Sequence, residues 1–528
     1  MKKWGVTMKK YNNDRGFTLI VVLLAFCVIM VLLLGLITTV SSQQTISSFT
    51  EKQEKSIQYA EAGFNKYLWY LNEYSDFYEM EEGQEMVGQP IAYDHGFYQL
   101  EVLPPDELDR YVTIRSTGWV EGEETNKRTI EVQVQRKQFV HHVYASESEG
   151  NNIWWTAGDE VHGPYHTNGH LRIRNPVFYD TVSYSGNYIR GNPYSPTYHN
   201  IHGGAEKSET MEIPATNSSL EQWAAMDGYV FEGRTAIHLK GDKIKVKYIE
   251  NNTVIEEERP LPPNDIIYIK GNQNNNKWHP DTGNLFISGE LEGRLTIGAE
   301  NNIYITATDP TEWYDDQEWY PGGQYRNDES QVPPTPLENP SQGGITYKNT
   351  TFGDPDNPSV WDSEREIWIR EAEGEDMLGL VANHDVLILH HGWLRDGTDG
   401  NGWSWDYEWE KRWTGPFWNR RFRNWQRSST DSRMYDVAPN DMHIHGAVFA
   451  TQGGFGFENH DSGSRKGDII LWGNITQKER LAVGIINSTG YLKKYAHDPR
   501  MFYRYPPRIL EPTNLGWEIR DWKEVTGE

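Results

Sequence analysis

The longest run of apolar positions in the chain lies near its N-terminus. Residues 17–40 read FTLIVVLLAFCVIMVLLLGLITTV and include no charged side chain. A helix of this length reaches about 36 Å, enough to cross a hydrocarbon core of roughly 30 Å. Residues 1–16 carry five Lys or Arg and a single acid, Asp14, and the positive-inside rule places such a segment in the cytoplasm. The pattern predicts a single-pass transmembrane helix, with the bulk of the chain extracellular.

Two shorter patterns follow the apolar run. Residues 41–80 place apolar side chains three and four positions apart, which predicts a helical stem extension. Residues 81–140 contain three segments in which apolar and polar residues alternate, 97–103, 111–120 and 128–135. Alternation of this kind is typical of half-buried strands. We expect a small antiparallel β module that packs on the outer half of the stem.

A third residue pattern begins near residue 141 and continues to residue 528. Short apolar runs alternate with Gly, Asn and Asp, and no long helical pattern appears. This spacing suits a sandwich, a barrel or a solenoid. Runs that end at a Gly or Asn turn favour an irregular right-handed parallel β-helix, in which each rung buries its face on the next. The predicted fold is therefore mainly β: a long N-terminal transmembrane helix, a small antiparallel sheet and then an irregular β-solenoid.

Two segments interrupt the solenoid pattern as excursions. Residues 309–362 are rich in Pro, Asn, Asp and Gly and predict a long surface loop. Residues 393–430 hold seven of the 21 Trp, interleaved with Arg. Such side chains can stack on sugar rings or insert into a partner surface, whereas a self-packed flap that caps an edge of the solenoid is the alternative. The partner-binding candidates are Trp403, Trp405, Trp409, Trp413, Trp418 and Trp425.

The junction between the leader and the apolar run carries a family resemblance. A basic leader that ends at Gly16 and is followed directly by Phe17 resembles the cleavage site of type IV prepilins. Residues 58–64, Gln-Tyr-Ala-Glu-Ala-Gly-Phe, resemble the Ala-Glu-Ala-Gly stretch of PilX-like minor pilins, so the resemblance covers about the first 70 residues. It implies a cytoplasmic leader (1–16) removed by prepilin peptidase, methylation of the new amine, and a helix retained as a filament stem. Anchoring without processing is the alternative.

Val21 departs from the pattern of this family. Pilins of this type carry Glu as the fifth mature residue, which is Val21 here, and that carboxylate is thought to neutralise a neighbouring subunit's amine inside the membrane, where a lone charge is unfavourable. Minor pilins of the PilX and GspK kind often lack it. Val21 therefore favours a minor or initiating role in assembly, and a pilin-like anchor that does not polymerise is the alternative.

Composition narrows the choice of partners. The formal net charge is −26, and removal of the leader would leave −30, which disfavours nucleic acid and anionic lipid. The only cysteine, Cys27, lies in the apolar run, so the exported part has no disulfide and no thiolate metal site. His162, His166 and His170 have helical spacing, but the Gly and Pro residues between them argue against a helix, and His443 and His445 would share one strand face. We interpret these as buried or loop histidines and expect no metal and no cofactor.

These observations predict a non-catalytic, membrane-anchored minor pilin or pilin-like subunit that acts in type IV filament assembly or surface contact. Its expected partners are other pilins, the pilus assembly platform, the peptidase and the membrane, with cell-wall glycan as a further candidate. Residues 454–459 and 490–495 also resemble stretches of uncharacterised bacterial surface proteins, which implies no activity. The alternatives are a surface polysaccharide-acting β-helix enzyme and a pseudopilin of a secretion or DNA-uptake machine.

The predicted cleavage depends on a small residue before the cut. We expect Gly16→Leu to block maturation while the apolar run still inserts, because insertion depends on residues 17–40 alone. Mass spectrometry of the N-terminus, carried out on chain recovered from the membrane fraction, shows whether the leader has been removed and whether the chain has inserted. A parent chain that retains Met1, or begins elsewhere than Phe17, would contradict the prepilin interpretation.

Overall fold

The secondary structure changes from helix to strand along the chain as the residue pattern does. The computed structural model describes residues 15–525 except 75, 106–109, 151–152, 192–202, 252, 274–276, 316–340, 365–366, 393–402, 405–408, 428–434, 486 and 515. The α-helices are α1 (Arg15–Glu73), α2 (Glu81–Glu85) and α3 (Ser218–Asp227), and short 3-10 helices lie at Phe139–His141, Pro310–Glu312, Phe417–Asn419 and Pro499–Phe502.

Strands make up most of the regular structure that is described. Those up to residue 207 are β1 (Ile91–Tyr93), β2 (Gly96–Leu103), β3 (Tyr111–Val120), β4 (Arg128–Arg136), β5 (Tyr144–Ser148), β6 (Trp155–Thr156), β7 (Glu160–His162), β8 (Tyr165–Thr167), β9 (Leu171–Arg174), β10 (Val177–Phe178), β11 (Val182–Tyr184), β12 (Tyr188–Arg190) and β13 (Ala205–Lys207). Those from 229 to 388 are β14 (Tyr229–Glu232), β15 (Thr235–Gly241), β16 (Lys243–Glu250), β17 (Thr253–Pro260), β18 (Ile266–Lys270), β19 (Leu285–Leu291), β20 (Arg294–Ala299), β21 (Ile303–Ile305), β22 (Tyr314–Asp315), β23 (Gln342–Tyr347), β24 (Thr351–Phe352), β25 (Val360–Asp362), β26 (Ile367–Ile369), β27 (Ala372–Glu373), β28 (Met377–Ala382) and β29 (Val386–Ile388). The rest are β30 (His391–Gly392), β31 (Trp403–Ser404), β32 (Trp409–Thr414), β33 (Arg421–Arg427), β34 (Tyr435–Asp436), β35 (Asp441–Ala450), β36 (Phe455–Phe457), β37 (Arg465–Glu479), β38 (Gly484–Ile485), β39 (Thr489–Ala496) and β40 (Trp517–Val525). The prediction of a mainly β chain with one long N-terminal apolar helix is confirmed.

The chain divides into two compact units. Unit 1 consists of Met1–Pro105, Tyr111–Gln135 and Gly516–Glu528, and unit 2 consists of Asp106–Arg110 and Arg136–Leu515. Residues 516–528, which the sequence analysis grouped with the surface domain 141–528, therefore belong with unit 1.

In unit 1, helix α1 has two different surroundings along its length. From Leu19 to Val40 its large apolar side chains are exposed, and within the described residues this helix is long and apolar enough to cross a membrane. From Tyr59 onward one face is buried, with Ala60 and Tyr67 fully covered. The N-terminal part is thus consistent with a membrane anchor, and the C-terminal part belongs to a folded core.

That core is completed by a small sheet. Strands β1, β2, β3 and β4 are antiparallel neighbours, and β40 lies beside β4. The alternating segments 97–103, 111–120 and 128–135 correspond to β2, β3 and β4. Their inward side chains pack on α1: Leu100, Val112, Ile114, Ile130, Val132 and Val134.

Small residues allow α1 to approach this sheet closely. A Cβ added at Gly118 of β3 would lie 2.1 Å from the backbone oxygen of Ser56 and 2.4 Å from the backbone nitrogen of Ala60. A Cβ at Gly63 would lie 2.5 Å from the ring of Tyr98. The stretch Ala60–Gly63 therefore has a packing role in this chain, because its backbone contacts the sheet at the places where larger side chains do not fit.

In the described part of unit 2, most parallel strands form three connected runs, while β6, β9 and β12 form a separate parallel sheet. The first runs in the spatial order β14, β18, β20, β28, β35, β37, β5, β8, β11, β13. The second runs β15, β19, β23, β35, β37, β39, β7, β10, and the third runs β19, β21, β29, β36. Strands β35 and β37 take part in two runs, and each bends at a glycine, Gly446 (φ 144°) or Gly473 (φ 152°). A Cβ at Gly473 would lie 1.9 Å from the oxygen of Gly446, so stacked bends require glycine.

The stacking order differs from the chain order. The strands of residues 144–207 stack beyond β37 and β39, whereas those of residues 229–457 stack on the other side. The first strand of the chain in the stack, β5, therefore lies in the middle of the first run, and the following strands extend this run to its end at β13. The chain then resumes at β14, which lies at the opposite end of the first run within the described residues. Residues 208–228, which include α3, make this connection.

Many of these strands bury both faces. In β18, Ile267 and Ile269 belong to one core cluster, while Ile266 and Tyr268 belong to a second. The second cluster is covered by residues from the connecting segment and from the C-terminal part of unit 2: Met211, Ile213, Leu220, Ala224, Met501, Tyr505, Ile509 and Leu510. Burial on both faces is the reason these strands appear in the sequence as continuous apolar runs.

Two features of unit 2 differ from the sequence prediction. Residues 342–347, inside the predicted excursion 309–362, form β23 of the stack. The loop prediction relied on the Pro, Asn, Asp and Gly content of residues 309–362. Glycine is nevertheless needed in this strand, since a Cβ at Gly344 would lie 2.1 Å from the oxygen of His443. Helix α3 was missed, because a ten-residue helix with only Leu220 and Ala224 buried leaves a weak periodic signal.

The contact between α1 and β3 supports a stability prediction. We expect Gly118→Ala to destabilise unit 1 by about 1–3 kcal/mol, because the added methyl group displaces the helix backbone. Hydrogen exchange of β3 and of residues 56–71 should accelerate together. The control is Gly35→Ala, whose Cβ meets nothing within 4 Å. Unchanged exchange in the Gly118 variant would contradict the close contact.

Candidate functional site

The aromatic segment singled out in the sequence contains a two-stranded hairpin. Strands β32 and β33 pair antiparallel, with a register irregularity between Arg412 and Trp413. Pro416 precedes the short 3-10 helix Phe417–Asn419 that turns the chain. Within the described residues these two strands pair with each other and with no other strand. In this part of the chain the backbone pairing of the hairpin comes from its own ladder.

The tip of the hairpin is exposed. Phe417 is 83% exposed and Trp418 is 87% exposed, and Trp413 at the end of β32 is 45% exposed. The guanidinium of Arg420 lies over the ring of Phe417, 5.3 Å from its centroid. Large aromatic side chains at this exposure contribute little to the stability of the chain that carries them. They suit a surface that becomes buried against something else.

The hairpin is also basic within an acidic chain. From Trp409 to Arg427 the sequence has six Lys or Arg and one acid, Glu410, whereas the whole chain carries −26. A cluster of this kind provides long-range attraction to an acidic surface, and aromatic residues provide buried contact area once the surfaces meet.

The other predicted site residues lie in different places. The backbones of Gly16 and Phe17 are helical in α1, and Val21 is exposed on the same helix. Trp403, Trp409 and Trp425 lie on β31, β32 and β33. Trp393, Trp405 and residues 1–14 of the leader lie outside the described residues. The roles assigned to these residues remain predictions.

Two of the histidines considered as metal ligands have hydrogen-bond partners within the protein. His162 contacts Ser359 and Glu160, and His166 contacts Ser183 and Asn168. Burial lowers the pKa of both imidazoles. Burial also lowers the pKa of His445 to about 3. In the part of the chain that the structure describes, no three His, Cys, Asp or Glu side chains form a group that could hold a metal ion.

A groove along the stack bears on the enzymatic alternative. It has a volume of about 690 Å³, and its wall includes His238, Glu290, Asp309 and His443. The Asp309 carboxylate accepts hydrogen bonds from the backbone nitrogen and hydroxyl of Thr311, at 2.8 and 2.6 Å. This carboxylate therefore caps the 3-10 helix Pro310–Glu312. Capping is a structural role that is sufficient to explain the position of Asp309 in the groove wall.

The sequence analysis missed a buried charged cluster at the middle of the stack. The Glu149 carboxylate, which is fully buried, lies 2.6 Å from Arg480. It also accepts hydrogen bonds from Tyr144, Ser146 and Trp155 at 2.7–3.1 Å. The two charged residues are 331 positions apart in the chain. No local motif marks such a pair, because only the stacking order brings the two segments together.

Comparisons with known proteins assign no family. No family model and no curated protein matches the chain. The crystal structure of the competence-associated pilin ComZ from Thermus thermophilus matches over 90% of this chain and 98% of that chain, with a TM-score of 0.23 and 8% sequence identity. A TM-score of this size carries no argument about fold or function, which therefore rest on the chain's own residues.

The exposure of the hairpin tip supports a prediction about stability. The double substitution Phe417→Ala and Trp418→Ala should leave the unfolding temperature of the full chain unchanged, since surface changes stay within about 0.5 kcal/mol. The comparison variant is Trp313→Ala, because Trp313 is 1% exposed, and its loss should cost about 3–5 kcal/mol. Thermal unfolding measures both. A lowered unfolding temperature in the double variant would favour the flap that caps the stack.

Proposed function

We propose that this chain is a non-catalytic, pilin-like subunit that is anchored in the cell membrane by residues 17–40 and acts in type IV filament assembly or surface contact. The observation that carries the proposal is the continuous helix α1, whose apolar first part is exposed and whose second part packs on an antiparallel sheet. A subunit of this form can stand in the membrane before assembly. It can afterwards bury the same apolar surface against neighbouring helices.

The leader and its charge supply the orientation. The basic leader and the positive-inside rule place the N-terminus in the cytoplasm and units 1 and 2 outside. Cleavage between Gly16 and Phe17, followed by methylation, would leave Phe17 as the first mature residue. The proposed partners are prepilin peptidase, the assembly platform and other pilins.

The finer proposal is a minor, PilX-like subunit. Val21 takes the place of the family's Glu, so this chain brings no carboxylate to neutralise a neighbour's amine in an apolar environment. A subunit that starts a filament has no neighbour in front of it and needs no such carboxylate. We further propose that the parallel runs of unit 2 form an irregular β-solenoid that displays surface elements.

The hairpin is the proposed contact element of this surface. Its exposed rings and basic side chains suit an acidic partner, either another pilin or cell-wall glycan. The residues proposed for contact are Trp413 and Trp418, whose exposure is described, together with Trp403, Trp405, Trp409 and Trp425.

The position of Val21 gives the test of the minor role. In filaments sheared from cells, quantitative proteomics should find this chain far below the major subunit. Val21→Glu should raise its share, because the carboxylate now pairs with the amine of the adjoining subunit. The matched control is Val22→Glu, which places the same charge one position along the helix, about 100° away, and should not raise the share.

Dominance of the parent chain in sheared filaments would contradict the minor role. Complete absence of the chain from filaments in both the parent and the Val21→Glu strain would favour a membrane anchor that does not polymerise.

A further inference from the structure

A second possible binding site lies in unit 2, apart from the hairpin. A cavity of about 410 Å³ opens between residues 153–159, 482–493 and the start of β37. Ligand pockets for small molecules span roughly 300–1,000 Å³. Its apolar wall comes from Ile153, Ala482, Val483, Ile485 and Leu492. The cavity can therefore hold one small molecule with an apolar face.

The charged part of the wall contains one compensated pair. Lys493 and Asp159 line the cavity, and the Lys493 Nζ lies 2.8 Å from the Asp159 Oδ1. The Asp159 side chain is 2% exposed and that of Lys493 is 14% exposed. Their charges cancel locally, so this pair provides polar character without a net charge.

Two further cations line the cavity without such compensation. Arg174 and Arg465 are part of the wall, and neither forms an ion pair within the described residues. Several other arginines of unit 2 are paired with carboxylates, as in Arg370 with Asp180, Arg480 with Glu149 and Arg500 with Asp498. Arg174 and Arg465 therefore give the wall of this cavity positive charge, although the whole chain has 76 acidic and 50 basic residues.

Arg174 is held by a ring instead of an acid. Its guanidinium carbon lies 4.2 Å from the ring centroid of Trp154, which also lines the cavity. Its Nε is buried with no hydrogen-bond partner, which is uncommon for a buried donor. Stacking on Trp154 fixes the guanidinium plane, and a fixed plane favours recognition of a planar acid group.

We propose that this cavity binds a small ring compound bearing one carboxylate, with the carboxylate at Arg174 and Arg465 and the ring against Trp154 and the apolar wall. Because Asp159 is paired with Lys493, the two guanidinium groups alone set the preference of the cavity for an acid group. Uronic-acid sugars and aromatic acids share this chemistry. The site is independent of the filament role proposed above.

The test uses the full chain in detergent micelles and isothermal titration calorimetry. The probes are sodium glucuronate, sodium benzoate, glucose and glucose 6-phosphate. We expect glucuronate or benzoate to bind, and the tighter of the two identifies a sugar acid or an aromatic acid as the source. Glucose, which lacks the charge, should bind about tenfold more weakly or worse.

Arg465→Gln should lower the carboxylate affinity about tenfold, and because Arg465 is exposed the variant should fold normally. Arg174→Gln should also lower the carboxylate affinity. The matched control is Arg508→Gln, which removes a guanidinium that also stacks on a tryptophan, 4.0 Å from Trp223, outside the cavity.

Failure of both carboxylates to bind would overturn the site, as would parent-like affinity in both the Arg174 and Arg465 variants. Phosphate binding as tight as that of the carboxylate would overturn the choice of ligand. These outcomes leave the processing and filament experiments untouched, because those depend on residues 16–22.

Discussion

The position of β5 between β37 and β8 is the constraint on which unit 2 depends. Strand β5 follows directly on the start of the unit, whereas β37 comes near its end, yet the two are parallel neighbours from Ile475 and Tyr144 onward. The stack therefore has two parts, built from residues 144–207 and from residues 229–496. The strand at the edge of each part has no parallel neighbour until the other part is present. Long loops must close before this pairing forms, and pairing at such sequence separation is slow. We expect the stack to be completed late in folding, after nearly all of the chain is available.

The buried cluster at this junction shows how the register is held. A buried ion pair is not in itself strongly stabilising, because desolvation offsets the attraction between the charges. In this case the Glu149 carboxylate also receives hydrogen bonds from Tyr144, Ser146 and Trp155, and Arg480 lies 4.0 Å from the ring centroid of Trp155. A shift of β5 by one residue would displace Tyr144 and Ser146 from the Glu149 carboxylate and weaken the hydrogen bonding of a buried charge. The cluster thus penalises wrong registers more than it stabilises the correct one, which is a useful property where many similar short strands can pair.

Elements held by contacts between residues close in sequence were predicted well from the sequence, whereas those held by contacts between distant residues were not. Strands β2, β3 and β4 were predicted within one residue at each end, because alternation is a local signal that one-sided burial imposes. The long helix was equally clear from residues 17–40. For the stack, the sequence predicted short strands in an irregular parallel β-helix, and the β-helix remains a prediction. The order of the strands was not predicted, since it depends on pairings such as Thr476 with Ala145 that leave no local trace. Strand β23 was lost because Gly343 and Gly344, needed where backbones touch, have the same appearance as loop glycines. For the candidate site, the sequence showed the aromatic and basic character of the hairpin. The exposure of its tip could be known only from the structure, in which β32 pairs with β33.

Charge distribution connects the two proposed binding surfaces. With an excess of 26 acidic groups, most arginine side chains of such a chain can find a carboxylate, and several do so at 2.6–3.0 Å. Pairing therefore says little about function, because it is what an acidic surface produces by default. Arginines placed against aromatic rings instead, such as Arg174 on Trp154 and Arg420 on Phe417, keep their charge available for an outside acid. Stacking costs the ring nothing in hydrogen bonding and fixes the direction of the guanidinium. Arg174 and Arg420 are thus both oriented by an aromatic ring, and each of the two proposed binding surfaces contains one of them.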